Sequence, residues 1–119
     1  MLEIACFNIE SAIIAQNAGA DRVELCEDYS IGGITPSFET ISEARKQISI
    51  PLFVMIRPRG GNFVFSNEEL KTMKEAILFC KESLADGVVF GILDSEGNVD
   101  KQKCKELIAA AHPMQARFH

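Results

Sequence analysis

The sequence predicts a parallel (β/α) barrel of the TIM type, of which these residues supply about five strands and four helices. Apolar, β-rich runs alternate with segments of helical periodicity, which is the pattern of βαβ units and a parallel sheet. One face of the predicted sheet carries charged residues. An open, doubly wound sheet is covered by helices on both sides and should be apolar on both. The charged face therefore favours a barrel, whose interior can hold paired charges.

Five apolar runs predict the strands, at residues 2–7, 22–26, 52–57, 87–93 and 115–119. Residues in a strand point alternately to the two faces of its sheet. The face predicted to pack against the helices is apolar or thiol throughout: Ile4, Cys6, Val23, Leu25, Leu52, Val54, Ile56, Val88, Phe90, Ile92, Ala116 and Phe118. The opposite face mixes charged and apolar groups: Glu3, Ala5, Arg22, Glu24, Cys26, Phe53, Met55, Arg57, Val89, Gly91, Arg117 and His119.

Four helices are predicted between these strands. Their starts are marked by side chains that can accept a hydrogen bond from the first turn: Asn8, Thr35 (followed by Pro36), Ser66 and Asp100. Ser66 and Glu69 also have the spacing of a capping box. The connections from strand to helix are long and rich in glycine, at 27–35, 58–65 and 94–99. Parallel α/β folds place their site at the carboxyl ends of the strands, where these loops meet.

Size and charge limit the possible functions. The 119 residues form a single domain, 1–119, whereas a complete barrel needs eight strands and about 250 residues. We therefore expect the N-terminal portion of a barrel. The formal charge of −5 argues against nucleic acid and acidic membranes as partners, and no apolar run approaches the roughly 20 residues of a membrane span. Four cysteines without a C-x-x-C pair or a secretory signal predict free thiols in the cytoplasm.

Glu3, Glu24, Arg57 and His119 come from four strands and share the charged face. Glu24, Arg57 and His119 are the candidate catalytic residues, because carboxylates beside a guanidinium anchor polar ligands and a histidine exchanges protons near neutral pH. The alternative is a charge network that only fills the barrel. Adjacent strands lie about 4.8 Å apart, so we expect Glu24 and Arg57 to form an ion pair with Glu3 nearby.

The loop after the third strand reads Arg57-Pro58-Arg59-Gly60-Gly61-Asn62. Glycine lets backbone N–H groups approach an anion closely, and arginine suits bidentate contacts. Together with Glu3, the residues Arg59, Gly60 and Gly61 are therefore the candidate substrate or anion ligands. The alternative is a turn in which glycine supplies a positive φ and the arginines pair with carboxylates. Phe63 and Phe65 in the same loop either cover the mouth of the barrel or anchor the loop.

Several segments make the chain resemble the CutC family of copper homeostasis proteins. They are residues 2–6 (LEIAC), 19–26 (GADRVELC), 32–37 (GGITPS), 55–61 (MIRPRGG), 86–91 (DGVVFG), 97–100 (GNVD) and 118–119 (FH). The resemblance extends from end to end, and the run 55–61 is its most specific part. It implies a TIM barrel of which this chain is the N-terminal half, and a cytoplasmic role in copper homeostasis.

The resemblance also implies a Cu(I) site on cysteines near the ends of the first two strands. Cys26 matches the second position and is the candidate metal ligand, since soft thiolates suit Cu(I). Ala5 occupies the first position, and Cys6, one residue later, points to the helix layer by alternation.

Three functions follow as hypotheses. The first is a CutC-type protein that binds Cu(I). The second is a TIM-barrel enzyme acting on a small anionic, phosphorylated metabolite. The third is a half barrel without activity of its own. Because a half barrel exposes unpaired strand edges, we also expect self-association into homo-oligomers.

Overall fold

The computed structural model describes residues 1–118 and alternates strands with helices as the sequence predicts. The strands are β1 (Glu3–Cys6), β2 (Arg22–Leu25), β3 (Leu52–Met55), β4 (Gly87–Phe90) and β5 (Gln115–Phe118). The α-helices are α1 (Ile9–Asn17), α2 (Phe38–Gln47), α3 (Asn67–Glu82) and α4 (Lys101–Ala111), and a short 3₁₀ turn spans Tyr29–Ile31. His119, a predicted catalytic residue and the predicted end of β5, lies outside the described residues.

Side-chain caps fix the starts of the helices. Asn8 accepts a hydrogen bond from the N–H of Ser11, Asp100 caps α4, and Ser66 forms the predicted capping box with Glu69. The predicted cap of α2 was wrong by two residues. Ser37, not Thr35, caps this helix, because the Thr35 hydroxyl is instead bonded to the backbone of Arg57.

The five strands form one parallel sheet in the order β1-β2-β3-β4-β5. The register sets Glu3 beside Arg22, Glu24 beside Phe53, and Met55 beside Val89. Sequential parallel strands with a helix after each of the first four are the architecture of an incomplete (β/α) barrel. The predicted fold class is therefore confirmed.

The helix-facing side of the sheet forms the hydrophobic core, as alternation predicts. Cys6, Val23, Leu25, Val54 and Phe90 each expose 1% or less of their surface within this core cluster. Cys6 therefore belongs to the helix layer and not to the charged face. Phe118 departs from the pattern, because it is 53% exposed at the end of β5.

On the opposite face, the aromatic ring of Phe53 fills the space that Gly87 leaves open. A Cβ atom built on Gly87 would lie 2.4 Å from Cε2 of Phe53. The guanidinium carbons of Arg22 and Arg117 lie 4.7 and 5.9 Å from the centre of the Phe53 ring. Phe53 is 2% exposed as a result. The charged face is therefore packed, with an aromatic floor beneath its arginines.

Candidate functional site

Glu3 is the centre of an ion-pair network on the charged face. Its carboxylate accepts hydrogen bonds from Arg22, across the β1–β2 pair, and from Arg117 on β5. Both arginines also lie over the ring of Phe53, so the network is held from two sides. Glu3 is thereby bound by the protein itself, which agrees with the space-filling alternative for this residue better than with ligand binding.

Glu24 lies on the same face and is not neutralised in this way. Its carboxylate forms no ion pair or hydrogen bond with another residue of the described chain, and it lines a cavity of about 260 Å³ together with Glu3, Val89, Arg117 and Phe118. Burial raises the pKa of Glu24 above its usual value, the negative charge of Glu3 raises it further, and Arg22 opposes both. A carboxyl group in this setting gains and loses a proton closer to neutral pH.

The expected ion pair between Glu24 and Arg57 is wrong, since the described chain contains no such pair. The two residues do share a face, but the register sets Glu24 beside Phe53. Arg57 follows four residues later, which is about 13 Å further along the strand direction. The alternation of side chains predicted correctly that Glu24 and Arg57 share a face. Their separation along the strand direction depends on the register, which alternation does not give. Glu3 and Glu24 are brought together, and Arg57 belongs to a separate group at the carboxyl end.

Arg57 instead binds the backbone of two neighbouring loops. Its Nη1 donates to the carbonyl oxygens of Ile31 and Gly33, each at 3.0 Å, and its Nη2 donates to that of Gly61 at 2.8 Å. The ring of Phe63 covers the guanidinium, with its centre 4.7 Å from Cζ. Arg57 is 7% exposed. The side chain therefore ties the loop after β2 to the loop after β3.

Arg59, a predicted anion ligand, is occupied by its own loop. Its Nε donates to Glu69 at 2.6 Å, and its other nitrogens donate to carbonyl oxygens of Gly60, Asn62 and Val64. The backbone hydrogen bond from Ser66 and the Arg59 contact lower the pKa of Glu69. The turn alternative therefore describes Arg59, which anchors the loop to the first turn of α3.

Cys26 follows β2 on the charged face and is buried at 1% exposure. Its thiol donates to the carbonyl oxygen of Cys6 at 3.5 Å, and burial, aided by the charge of Glu24, raises its pKa to about 12. A Cβ atom built on Gly33 would lie 3.4 Å from Cβ of Cys26 and 3.3 Å from Sδ of Met55. Two soft sulfur side chains therefore border the same glycine.

Sequence reasoning placed Arg22, Arg117 and Met55 on the charged face but assigned them no role. Each now contacts a candidate residue: the arginines hold Glu3, and Met55 borders Cys26 through Gly33. The sequence did contain an indication of these contacts, because alternation had already placed the three residues on the same face as the candidates. The ring of Phe63 lies against the guanidinium of Arg57, and that of Phe65 lies against the guanidinium of Arg59.

Within residues 1–118, no group of three or more His, Cys, Asp or Glu side chains is arranged to hold a metal ion. The four cysteines are free and buried. None of the helices in this range is both long enough and apolar enough to cross a membrane.

Comparisons with known proteins agree with this fold. The sequence model of the CutC family matches residues 1–119. A "family protein CutC" of Photorhabdus laumondii is 44% identical over 118 residues, which are 99% of this chain and 48% of that protein. The human "Copper homeostasis protein cutC homolog" is 44% identical over 119 residues, which are 100% of this chain and 44% of that protein. The chain thus spans about half the length of the curated relatives it matches.

A solved structure shows the same fold. The crystal structure of CutC from Streptococcus agalactiae superposes with a TM-score of 0.93 at 37% sequence identity. The superposed region covers 100% of this chain and 59% of the Streptococcus agalactiae chain. The strands and helices described above therefore correspond to part of a larger protein in that relative.

Proposed function

The chain belongs to the CutC family, and from this membership we propose that it takes part in copper homeostasis and binds Cu(I) through Cys26. The observation that carries the proposal is the position of Cys26. Its thiol follows a strand at the carboxyl edge of the sheet, on the charged face, and both Cys26 and the sulfur of Met55 border Gly33. Thiolate and thioether sulfur are the soft ligands that Cu(I) prefers.

The donor set of the described residues is small. Cys26 supplies one thiol, Met55 supplies one thioether, and Ala5 stands where the family resemblance implies a second cysteine. Because burial raises the pKa of Cys26 to about 12, the metal must displace a tightly held proton. We therefore expect weak binding that strengthens as pH rises.

A competition titration with a chromophoric Cu(I) chelator tests this proposal. Cys26→Ser should lower the Cu(I) affinity at least tenfold and Met55→Leu by a smaller factor. Cys80→Ser is the matched control, because Cys80 is a buried thiol on α3, in the helix-side core. Ala5→Cys should raise the affinity, since position 5 shares the charged face with Cys26. Equal affinities of the wild type and Cys26→Ser would refute the metal role.

A second candidate is an enzyme acting on a small anionic metabolite, and the state of Glu24 favours it. An unpaired, half-buried carboxyl group with a raised pKa beside a cavity is suited to general acid–base catalysis. The test is turnover of a panel of small phosphorylated and carboxylated metabolites by the wild type and by Glu24→Gln. Consumption of one compound by the wild type, lost in the variant, would support this candidate, and no consumption would refute it.

A further inference from the structure

We infer that the carboxyl end of β3 holds a binding site for a small oxyanion, with Arg57 as its cation. Arg57 is 7% exposed, and no Asp or Glu carboxylate of the described chain forms an ion pair with it. Its hydrogen-bond acceptors are three neutral carbonyl oxygens, of Ile31, Gly33 and Gly61. A buried charge without a counter-charge is costly, and a bound anion removes that cost.

One nitrogen of this guanidinium has no hydrogen-bond partner. Among the buried side-chain nitrogen and oxygen atoms of residues 1–118, only Nε of Arg57 has no hydrogen-bond partner. Buried polar groups are rarely left unpaired, and each exception calls for an explanation, of which a bound ion is one. Arg59 offers the contrast, because its Nε already donates to Glu69 at 2.6 Å. The unpaired donor therefore singles out Arg57 in a loop that contains two arginines.

The surroundings of Arg57 suit a small organic anion. The backbone N–H groups of Gly60 and Gly61 donate to no other residue of the described chain, and the carbonyl oxygen of Gly61 contacts the guanidinium. Phe63, which covers the guanidinium, also lines a mostly apolar cavity of about 230 Å³ with Gly91, Ile92, Leu93 and Phe118. The charged group of the ligand binds at Arg57, and its apolar part occupies this cavity.

The ligand class is a small metabolite that carries a carboxylate or phosphate group. Both groups present oxygen acceptors to an arginine N–H, which is the chemistry the site shares between them. Because Nε is itself buried, a ligand oxygen reaches it only by displacing side chains that cover the guanidinium, of which the Phe63 ring is one.

The site would bind the anionic group of the substrate in the second candidate function, so its biological role rests on that proposal. The site itself is tested by binding alone. Absence of turnover would count against the enzyme and leave the site standing. Absence of binding at Arg57 would overturn the site and leave both the enzyme and the copper proposal untouched.

The test observes the Nε–Hε groups of the arginines directly, by ¹H–¹⁵N NMR of the ¹³C,¹⁵N-labelled chain at constant ionic strength. Inorganic phosphate and propanoate are titrated separately. We expect a saturable shift of the Arg57 Nε–Hε signal and little change at Arg59, the matched control. A stronger response to phosphate identifies a phosphorylated ligand, and a stronger response to propanoate identifies an organic acid. The signal can be assigned through its own side-chain carbons, so no variant has to fold.

A second readout separates binding from a purely structural role in joining the two loops. The favoured anion should raise the thermal midpoint of the wild type and of Arg59→Met, but not that of Arg57→Lys. If neither anion shifts the Arg57 signal up to about 50 mM, well above the millimolar Kd expected of a small ligand, the inference is wrong. An equal shift of all arginine signals would show general screening and would also overturn it.

Discussion

Replacement of Arg57 by methionine should destabilise the fold far more than the same replacement of Arg59. Arg57→Met removes three hydrogen bonds from a buried guanidinium and leaves the carbonyl oxygens of Ile31, Gly33 and Gly61 without their donor. Hydrogen bonds to a charged group contribute about 1.5–3 kcal/mol each. Part of that sum is offset because the variant no longer buries an uncompensated charge. We therefore expect a loss of about 3 kcal/mol in the free energy of unfolding.

Arg59 makes at least as many contacts, but in a different setting. Its side chain is 38% exposed and its partner Glu69 is 27% exposed, so water replaces much of what methionine removes. Exposed ion pairs contribute little to stability. The loss for Arg59→Met should therefore be clearly smaller, although the two arginines lie only two residues apart.

Urea unfolding followed by circular dichroism measures the difference, at one fixed and low protein concentration. With a slope of about 2 kcal/mol per molar urea, a loss of about 3 kcal/mol lowers the midpoint by roughly 1.5 M. Equal midpoint shifts for the two variants would refute the reasoning, because they would show that burial does not distinguish these guanidinium groups.

Three further predictions concern packing, pH and association. Gly87→Ala should lower the free energy of unfolding by about 1–3 kcal/mol, because the new Cβ would lie 2.4 Å from the Phe53 ring and 2.8 Å from the Gln115 carbonyl oxygen. Gly60→Ala is the control, because its Cβ would meet only Ile31, at 3.1 Å or more, and it should cost less in the same urea assay. A larger loss for Gly60→Ala than for Gly87→Ala would contradict the packing described. Stability should fall as pH rises from 9 towards 12, because the unfolded thiol of Cys26 ionises near its usual pKa of 9.0 whereas the folded thiol stays protonated up to about 12. Cys26→Ala should reduce that dependence but not abolish it, because burial also raises the pKa of Cys80 to about 12. If the urea midpoints of Cys26→Ala and of the wild type fall equally between pH 8 and 10, the result would count against the buried thiol of Cys26. Finally, β1 and β5 each pair with one neighbouring strand in the described sheet, so the 119-residue chain should self-associate in analytical ultracentrifugation, and a single monomeric species at all concentrations would disprove this.

The order of strands and helices was readable from the sequence because it depends on local patterns. The apolar period of two, the capping residues Asn8, Ser66 and Asp100, and the long loops all act over a few residues. Alternation also separated the two faces of the sheet, and it correctly assigned Cys6 to the helix layer. The cap of α2 was missed because the Thr35 hydroxyl accepts a hydrogen bond from the backbone N–H of Arg57, which is distant in sequence. No local sequence pattern indicates that contact.

Side chains alternate along any strand, so the local pattern was enough to place Glu24, Cys26 and Arg57 on one face of a parallel sheet. The distances between these residues depend on the tertiary packing. The register between β2 and β3 sets Glu24 beside Phe53 and places Arg57 four residues after Phe53. There the guanidinium donates hydrogen bonds to loop carbonyl oxygens and not to a carboxylate. The register depends on packing over the whole sheet and its helices. Two residues on one face can therefore be in contact or far apart with the same local sequence.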